Sequence, residues 1–173
     1  PGMLDTILNI GFNKKVLGFY EKQNKPLFAW DTWRRFLHMF SHVVYKIEHF
    51  YFDEILDSYL LGAGLQFEKD LEVNDIQEIC SQYLTLIEDR IGKPFPEDVN
   101  EQLMLGIKAV MESWFNERAI DYRRINDIPE DFGTAVNIQR MVFGNLDDES
   151  ATGVVLSRNP QDGKKRLKGE YII

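Results

Sequence analysis

Apolar side chains recur at helical spacing through the first three quarters of the chain and then change period. Trp33, Phe36, Leu37, Phe40, Val43 and Val44 form a stripe at i, i+3, i+4 and i+7, which predicts an amphipathic helix over residues 28–45 with Asp31 or Thr32 as its cap. Phe52, Ile55, Leu56 and Tyr59 predict a helix over 50–61, ended by Gly62-Ala63-Gly64. Ile76, Ile79, Cys80, Tyr83, Leu84 and Ile87 predict another, capped by Asn74 and closed by Gly92. Pro94-Phe95-Pro96 reads as a rigid connector. Asp98 opens the longest predicted helix, with Leu103, Ile107, Val110, Met111 and Trp114 on its apolar face. Asn13 caps a shorter one through Val16, Leu17 and Tyr20, and residues 118–125 form a last short helix before Pro129. The first twelve residues, with Gly2 and Gly11 bracketing Met3, Leu4, Ile7, Leu8 and Ile10, fit a short helix or a structured loop.

From Gly133 onward β-branched runs broken by glycine replace the helical period. Alternation predicts strands over 134–143, 152–157 and 164–173, separated by a polar loop (144–151) and the turn Asn159-Pro160-Gln161-Asp162-Gly163. The expected fold class is therefore α+β, a helical body followed by an antiparallel sheet. The organisation that follows is a mainly helical part, 1–132, and a β part, 133–173.

Composition narrows the function classes. A chain of 173 residues with 44% hydrophobic side chains fits one domain and fills a sizeable core. The net charge of −8 argues against a general nucleic-acid partner. The charge is uneven: residues 48–101 hold 14 acids against 3 bases, and the remainder 14 acids against 17 bases. A single cysteine, Cys80, excludes an internal disulfide framework and suits a reducing compartment. With no apolar run of membrane-spanning length and no signal-like segment, the expectation is a cytoplasmic protein without a membrane partner. The Pro1-Gly2 start and the apolar Tyr171-Ile172-Ile173 end lead to the expectation of a fragment of a larger protein.

Candidate chemistry is sparse by composition. His38 and His42 have the i, i+4 spacing of metal ligands, but no third ligand is indicated, so surface or interface histidines are the default, His49 included. Cys80, on an apolar face, reads as a small buried hydrophobe. Arg34-Arg35 and Arg123-Arg124 match phosphate geometry, or alternatively serve as surface ion pairs with the abundant acids. Ser150-Ala151-Thr152-Gly153 is a small hydroxylated loop whose backbone fits against a phosphate, with Arg158 adding charge. It lacks the Walker pattern.

Several segments together carry more than composition does. Pro1-Gly2-Met3-Leu4-Asp5-Thr6-Ile7-Leu8-Asn9-Ile10-Gly11, Trp33-Arg34-Arg35-Phe36, Ser113-Trp114 with Arg118-Ala119 and Tyr122-Arg123, and residues 133–144 resemble pyruvate, phosphate dikinases. So do Ser150-Ala151-Thr152-Gly153-Val154, Ser157-Arg158-Asn159-Pro160 and Gly169-Glu170-Tyr171, all in the family's order. The resemblance implies part of an N-terminal ATP-grasp domain. In that family ATP, phosphate and pyruvate become AMP, diphosphate and phosphoenolpyruvate, with Mg²⁺ and a monovalent cation, through a phosphohistidine on a separate swivelling carrier domain of the same chain. It also implies a homodimeric parent enzyme.

Residue by residue, the resemblance places Gln139, Arg140, Met141 and Val142 on the adenine-lining strand. Thr152, Gly153 and Arg158 fall on the phosphate side, Arg35 at a basic position of the ATP-binding domain, and Arg118 and Glu170 on the face that receives the carrier domain. The family's upstream phosphate-binding bases would precede Pro1, and its Mg²⁺ ligands would follow Ile173, so no catalytic residue and no metal ligand is expected in this stretch. Three positions depart from the family: Asp147 stands where glycine is usual, Leu156-Ser157 where Phe-Thr is usual, and Ala63 where a basic residue precedes the glycine. The expected function is the ATP-binding region of a dikinase, with the isolated stretch inactive and binding ATP weakly or not at all. The alternatives are a related ATP-grasp phosphotransferase such as phosphoenolpyruvate synthase, and a non-catalytic helical interaction module.

Overall fold

Pro26 stands in the first turn of the central helix, where its missing N–H breaks no helical hydrogen bond. The computed structural model describes residues 3–172; Gly2 and Ile173, which the sequence reading used, lie outside them. The central helix, α2 (Pro26–Tyr45), runs 20 residues, and α5 (Val99–Glu112) runs 14, so the expectation that the helix after Asp98 is the longest is corrected. Asp31 and Thr32 are likewise interior to α2, not its cap. Proline's fixed φ sets the start, with Lys25 at the cap, six or seven residues earlier than the cap chemistry suggested.

Asn13 caps α1 (Lys14–Lys22) as expected, its Oδ1 accepting from the N–H groups of Lys15 and Val16 at 3.1 Å each. Helix α3 (His49–Ala63) ends at Gly64, whose φ of 70° is the left-handed turn that glycine adopts without strain. Helix α4 (Val73–Ile91) begins after Glu72 rather than at Asn74. Asp75 Oδ2 accepts the Glu72 N–H at 2.8 Å, so a reaching-back acid fixes the start. Asp98 caps α5, accepting from Glu101 N–H at 2.9 Å. Helix α6 is Glu117–Ile125.

Helix α2 packs against α1, α3, α4 and α5. Trp33, Phe36, Leu37 and Phe40 of α2, Phe52 of α3 and Ile79, Tyr83 and Ile87 of α4 are all essentially inaccessible. Burying each such side chain contributes roughly 1.5–3 kcal/mol. The connector residue Phe95 meets Trp33, Phe36 and Phe40 edge-on, with centroids 5.6, 5.8 and 5.3 Å away. Its two flanking prolines stiffen the approach that this geometry requires.

The buried side of α5 differs from the expected one. Gln102, Gly106 and Ala109 are buried, whereas Met111 is about half exposed. The rest of the stripe, Leu103, Ile107, Val110 and Trp114, is half-buried, and the most buried line of the helix runs through Gln102, Gly106 and Ala109. A loop over residues 3–12 lies on it; a β-carbon at Gly106 would sit 2.7 Å from Ile10 Cδ1 and 3.4 Å from Ile7 Cδ1. Of the two forms allowed for this stretch, the loop is the one present, turned by Asn9 at φ 63° and Gly11 at φ 93°.

Beyond α6, residues 134–143 form no strand, which corrects the first of the three expected strands. Alternation marks two faces, but a strand also needs a partner edge, and among the described residues none pairs with this run. The sheet has two strands, β1 (Thr152–Leu156) and β2 (Lys168–Ile172), antiparallel with Thr152 opposite Ile172 and Val154 opposite Glu170. The second begins four residues later than expected. Lys164 is held in the turn instead, its carbonyl accepting from Asn159 N–H at 3.0 Å and Arg166 N–H at 2.8 Å. The coarse fold class, α+β with an antiparallel pair after a helical body, is as expected. The chain forms two compact units, 1–139 and 140–173.

Candidate functional site

In the second unit the chain brings part of the expected nucleotide side together. Gly144 lies directly against the start of β1: a β-carbon there would be 2.7 Å from Thr152 Cβ and 2.8 Å from the Ala151 carbonyl oxygen. Only glycine allows this approach, which sets Gly144 beside Thr152. Met141 and Val142 are exposed apolar side chains, Val142 at 85%. Thr152 and Gly153 belong to the β1 ladder, as the expected strand over 152–157 has them, so of the Ser150-Ala151-Thr152-Gly153 stretch only the first two residues precede the ladder. Gly153 faces Tyr171, and a β-carbon would sit 2.7 Å from the Glu170 carbonyl oxygen, so close strand approach accounts for this glycine.

The polar groups around this segment are mostly engaged. Ser150 Oγ donates to Asp147 Oδ1 at 2.8 Å, which closes the acidic loop on itself. Arg158 Nη1 donates to the Gly163 carbonyl at 3.1 Å across the turn. The turn itself is built on buried Asn159, whose Oδ1 accepts from Gln161 N–H at 3.1 Å. Arg140 and Glu170 are exposed.

In the helical unit, Gln139 is exposed near its end. Arg35 projects from α2 with its Nε donating to Asp31 Oδ2 at 2.7 Å. Its neighbour Arg34 is buried, bridging Asp31 Oδ1 at 3.0 Å and Glu68 Oε2 at 2.8 Å, so the surface ion pair considered for it is an interior one. Arg123 is buried too, its guanidinium 4.0 Å from the Trp114 ring centroid, while Arg124 pairs at the surface with Asp121 at 2.7 Å. A side chain held inward by carboxylates or by an indole face is not offered to phosphate.

Arg118 lies on the rim of an open groove of about 440 Å³, lined by Met3, Glu117, Asp121, Tyr122 and Ile125. Its Nη2 is 3.7 Å from Asp5 Oδ1. Sequence reading missed Asp5 as a junction, and it missed Gln102. Fully buried Gln102 accepts from Gly11 N–H at 2.9 Å and donates to the carbonyls of Pro96 at 2.8 Å and Phe12 at 3.2 Å. The available signal was a lone amide in line with Gly106 and Ala109, three and four residues apart on one helix face.

The histidines gather at the α2–α3 corner. His38 Nε2 and His49 Nδ1 are 2.7 Å apart, and the His42 ring stacks on His49 at 3.5 Å. Burial first, and then His49, push the His38 pKa down from 6.5 to about 4. Among the described residues no group of three His, Cys, Asp or Glu side chains has the geometry to hold a metal ion. Cys80 is buried and its thiol is pushed up to about 12 by desolvation, as suits an inert core position. Among the described residues no helix is long and apolar enough to cross a membrane.

Comparison with known proteins places these observations in a family. A family model described as "Pyruvate phosphate dikinase, AMP/ATP-binding domain" matches residues 1–173. The pyruvate, phosphate dikinase of Clostridium symbiosum is 46% identical over 175 residues, covering 100% of this chain and 20% of that protein. The chloroplastic pyruvate, phosphate dikinase 1 of Oryza sativa subsp. japonica is 44% identical, covering 100% of this chain and 18% of the relative. That of Rhizobium meliloti is 44% identical, with 100% and 19% covered. The chain thus spans about a fifth of the length of these relatives. By this match along its whole length, the chain belongs to the pyruvate phosphate dikinase AMP/ATP-binding domain family.

Proposed function

We propose that residues 139–153 are the nucleotide-facing part of an ATP-grasp domain, and that the full-length protein is a pyruvate, phosphate dikinase. The observation that carries this is the packing of Gly144 on Thr152 within a chain matched end to end by the family. Met141 and Val142, three and two residues before Gly144, are exposed apolar side chains. Backbone groups not used in a ladder suit the hydrogen-bonding edge of adenine, and Met and Val side chains suit its faces. Thr152 supplies a hydroxyl on the phosphate side, and Arg158 keeps N–H donors beyond the one given to Gly163. In this proposal the rest of the domain, including further strands on the hairpin, comes from the remainder of the protein. A bare two-stranded hairpin is marginal in water, and Val155 and Tyr171 are each at least 70% exposed.

Arg118 and Glu170 are proposed to meet the phosphohistidine carrier domain. Arg35 is proposed as a phosphate-side base, exchanging its hold on Asp31 for the nucleotide. In this proposal the Mg²⁺ ligands come from the remainder of the protein. What these residues do contribute is positioning of the nucleotide and electrostatic steering of the carrier. A homodimeric parent and a cytoplasmic location belong to the same proposal; the single buried cysteine suits a reducing compartment.

The acceptor of the second phosphoryl group separates this proposal from a phosphoenolpyruvate synthase. The full-length protein, given ATP and pyruvate, is expected to form phosphoenolpyruvate only when inorganic phosphate is added, with diphosphate as co-product. Turnover that is independent of phosphate, with water as acceptor, would overturn the dikinase assignment in favour of the synthase.

A further inference from the structure

Asp5 joins three parts of the helical unit that are far apart in sequence. Its Oδ2 accepts from Asn116 Nδ2 at 3.3 Å and lies 3.7 Å from Lys46 Nζ, while its Oδ1 lies 3.7 Å from Arg118 Nη2. The carboxylate is recessed, with its side chain 18% exposed; the two cations flanking it are 56% and 61% exposed. Its position is fixed from behind. The Asp5 N–H donates to Ser113 Oγ at 3.0 Å, and that fully buried hydroxyl donates to the Val110 carbonyl at 2.6 Å. One anion therefore sits between two exposed cations, held by the end of α5 and the start of α6; Glu117 and Asp121 line the groove beside Arg118, and Asp121 is paired with Arg124.

Ion pairs of this length and exposure add little to stability. They do restrict long side chains. Lysine and arginine lose rotamer freedom when they engage an anion, and a recessed carboxylate limits both to one edge before any partner arrives. The Arg118–Asp5 approach of 3.7 Å is longer than a hydrogen bond, so the donors of this exposed guanidinium are left for a partner. Next to it, Met3, Tyr122 and Ile125 give the groove an apolar floor. The free donors of Arg118 beside Met3, Tyr122 and Ile125 fit a partner that presents an acidic side chain next to an apolar one, and Glu117 and Asp121 on the same groove limit where that acid can sit.

We propose that Asp5 is a positioning residue for docking: it holds Arg118 and Lys46 along one edge, ready for an acidic group on the carrier domain. This rests on the assignment of Arg118 to the docking face. The loop that carries Asp5 is itself clamped on α5 by Gln102, so the edge is set by the fold and not by the partner.

The test uses the full-length protein with four changes: Asp5→Asn, Asp5→Glu, Arg118→Gln, and the double variant Asp5→Asn/Arg118→Gln. The rate of ATP-dependent phosphorylation of the carrier histidine is followed at low and high salt, alongside the KM for ATP and the unfolding temperature. Arg118→Gln is expected to slow phosphorylation roughly tenfold at low salt, with the KM for ATP unchanged. Asp5→Asn is expected to slow the same step by a smaller factor, and Asp5→Glu to restore most of it. The double variant should be only slightly slower than Arg118→Gln alone, by the part that Asp5 exerts through Lys46, and well short of the product of the two single losses. If Arg118→Gln slows phosphorylation and Asp5→Asn does not, the positioning role falls while the docking assignment stands. If Arg118→Gln has no effect, the docking assignment itself falls, and the positioning role with it. Multiplicative losses in the double variant, with a lowered unfolding temperature, would show Asp5 to be merely structural.

Discussion

Single residues decide how the loop over 3–12 stays in place. Gln102 makes three hydrogen bonds inside the protein, to Gly11, Phe12 and Pro96. Replacing it by leucine keeps the volume but leaves one N–H and two carbonyls without their partner. Gln102→Leu should therefore lower unfolding free energy by about 3 kcal/mol, since each unsatisfied buried group costs about 1–3 kcal/mol. Chemical denaturation with an unchanged slope would measure it, and a loss below roughly 0.5 kcal/mol would contradict the clamp. His38 supplies a second residue-scale expectation. Its pKa is pushed down to about 4 in the folded chain, against 6.5 unfolded, by burial and by His49 and His42, with Asp53 opposing and Arg34 reinforcing. The unfolded chain thus takes up this proton first, and stability falls as pH drops from 6.5 toward 4. The thermal midpoint should decline over that window and decline less in His38→Gln; an equal decline in both would remove His38 from the account.

At the scale of elements, legibility depended on what each rule measures. The stripe on α2 was readable because large apolar residues there do face the core, and Asn13 was readable because its side chain makes the expected cap bonds. On α5 the same rule misled, because its inner face is made small to admit a loop: Gln102, Gly106 and Ala109 are inside and Met111 is half out. Periodicity weighs hydrophobic size, so it misses a face selected for closeness. Residues 134–143 failed for a different reason: alternation describes two faces but carries no information about a partner edge. The Gly106 packing gives an expectation at this scale. Gly106→Val would drive its branched carbon into Ile10 and Ile7, and should destabilise by about 1–3 kcal/mol with loss of hydrogen-exchange protection in 3–12. Unchanged protection there would mean that the loop does not depend on the small face.

For the molecule as a whole, the family was legible in the sequence because its motifs run in order along the entire chain, and the end-to-end family match agrees. The candidate site was legible only in part. Sequence pointed to Met141, Val142 and Thr152, and the structure packs Gly144, which follows the first two, against the third. It did not reveal that Arg158 braces its own turn, or that Asp5 ties Arg118 to Lys46. Those are tertiary facts, set by which backbone groups find partners once the chain has folded. The central claim is that the segment around Met141 and Val142 faces the nucleotide. It is tested most directly by calorimetric titration of the full-length protein with ATP, beside its Met141→Arg variant checked for an unchanged fold. A guanidinium in place of the thioether would crowd an adenine packed on that side chain, so at least a tenfold loss of affinity is expected, equivalent to about 1.4 kcal/mol. Equal affinity in the two proteins would contradict the account.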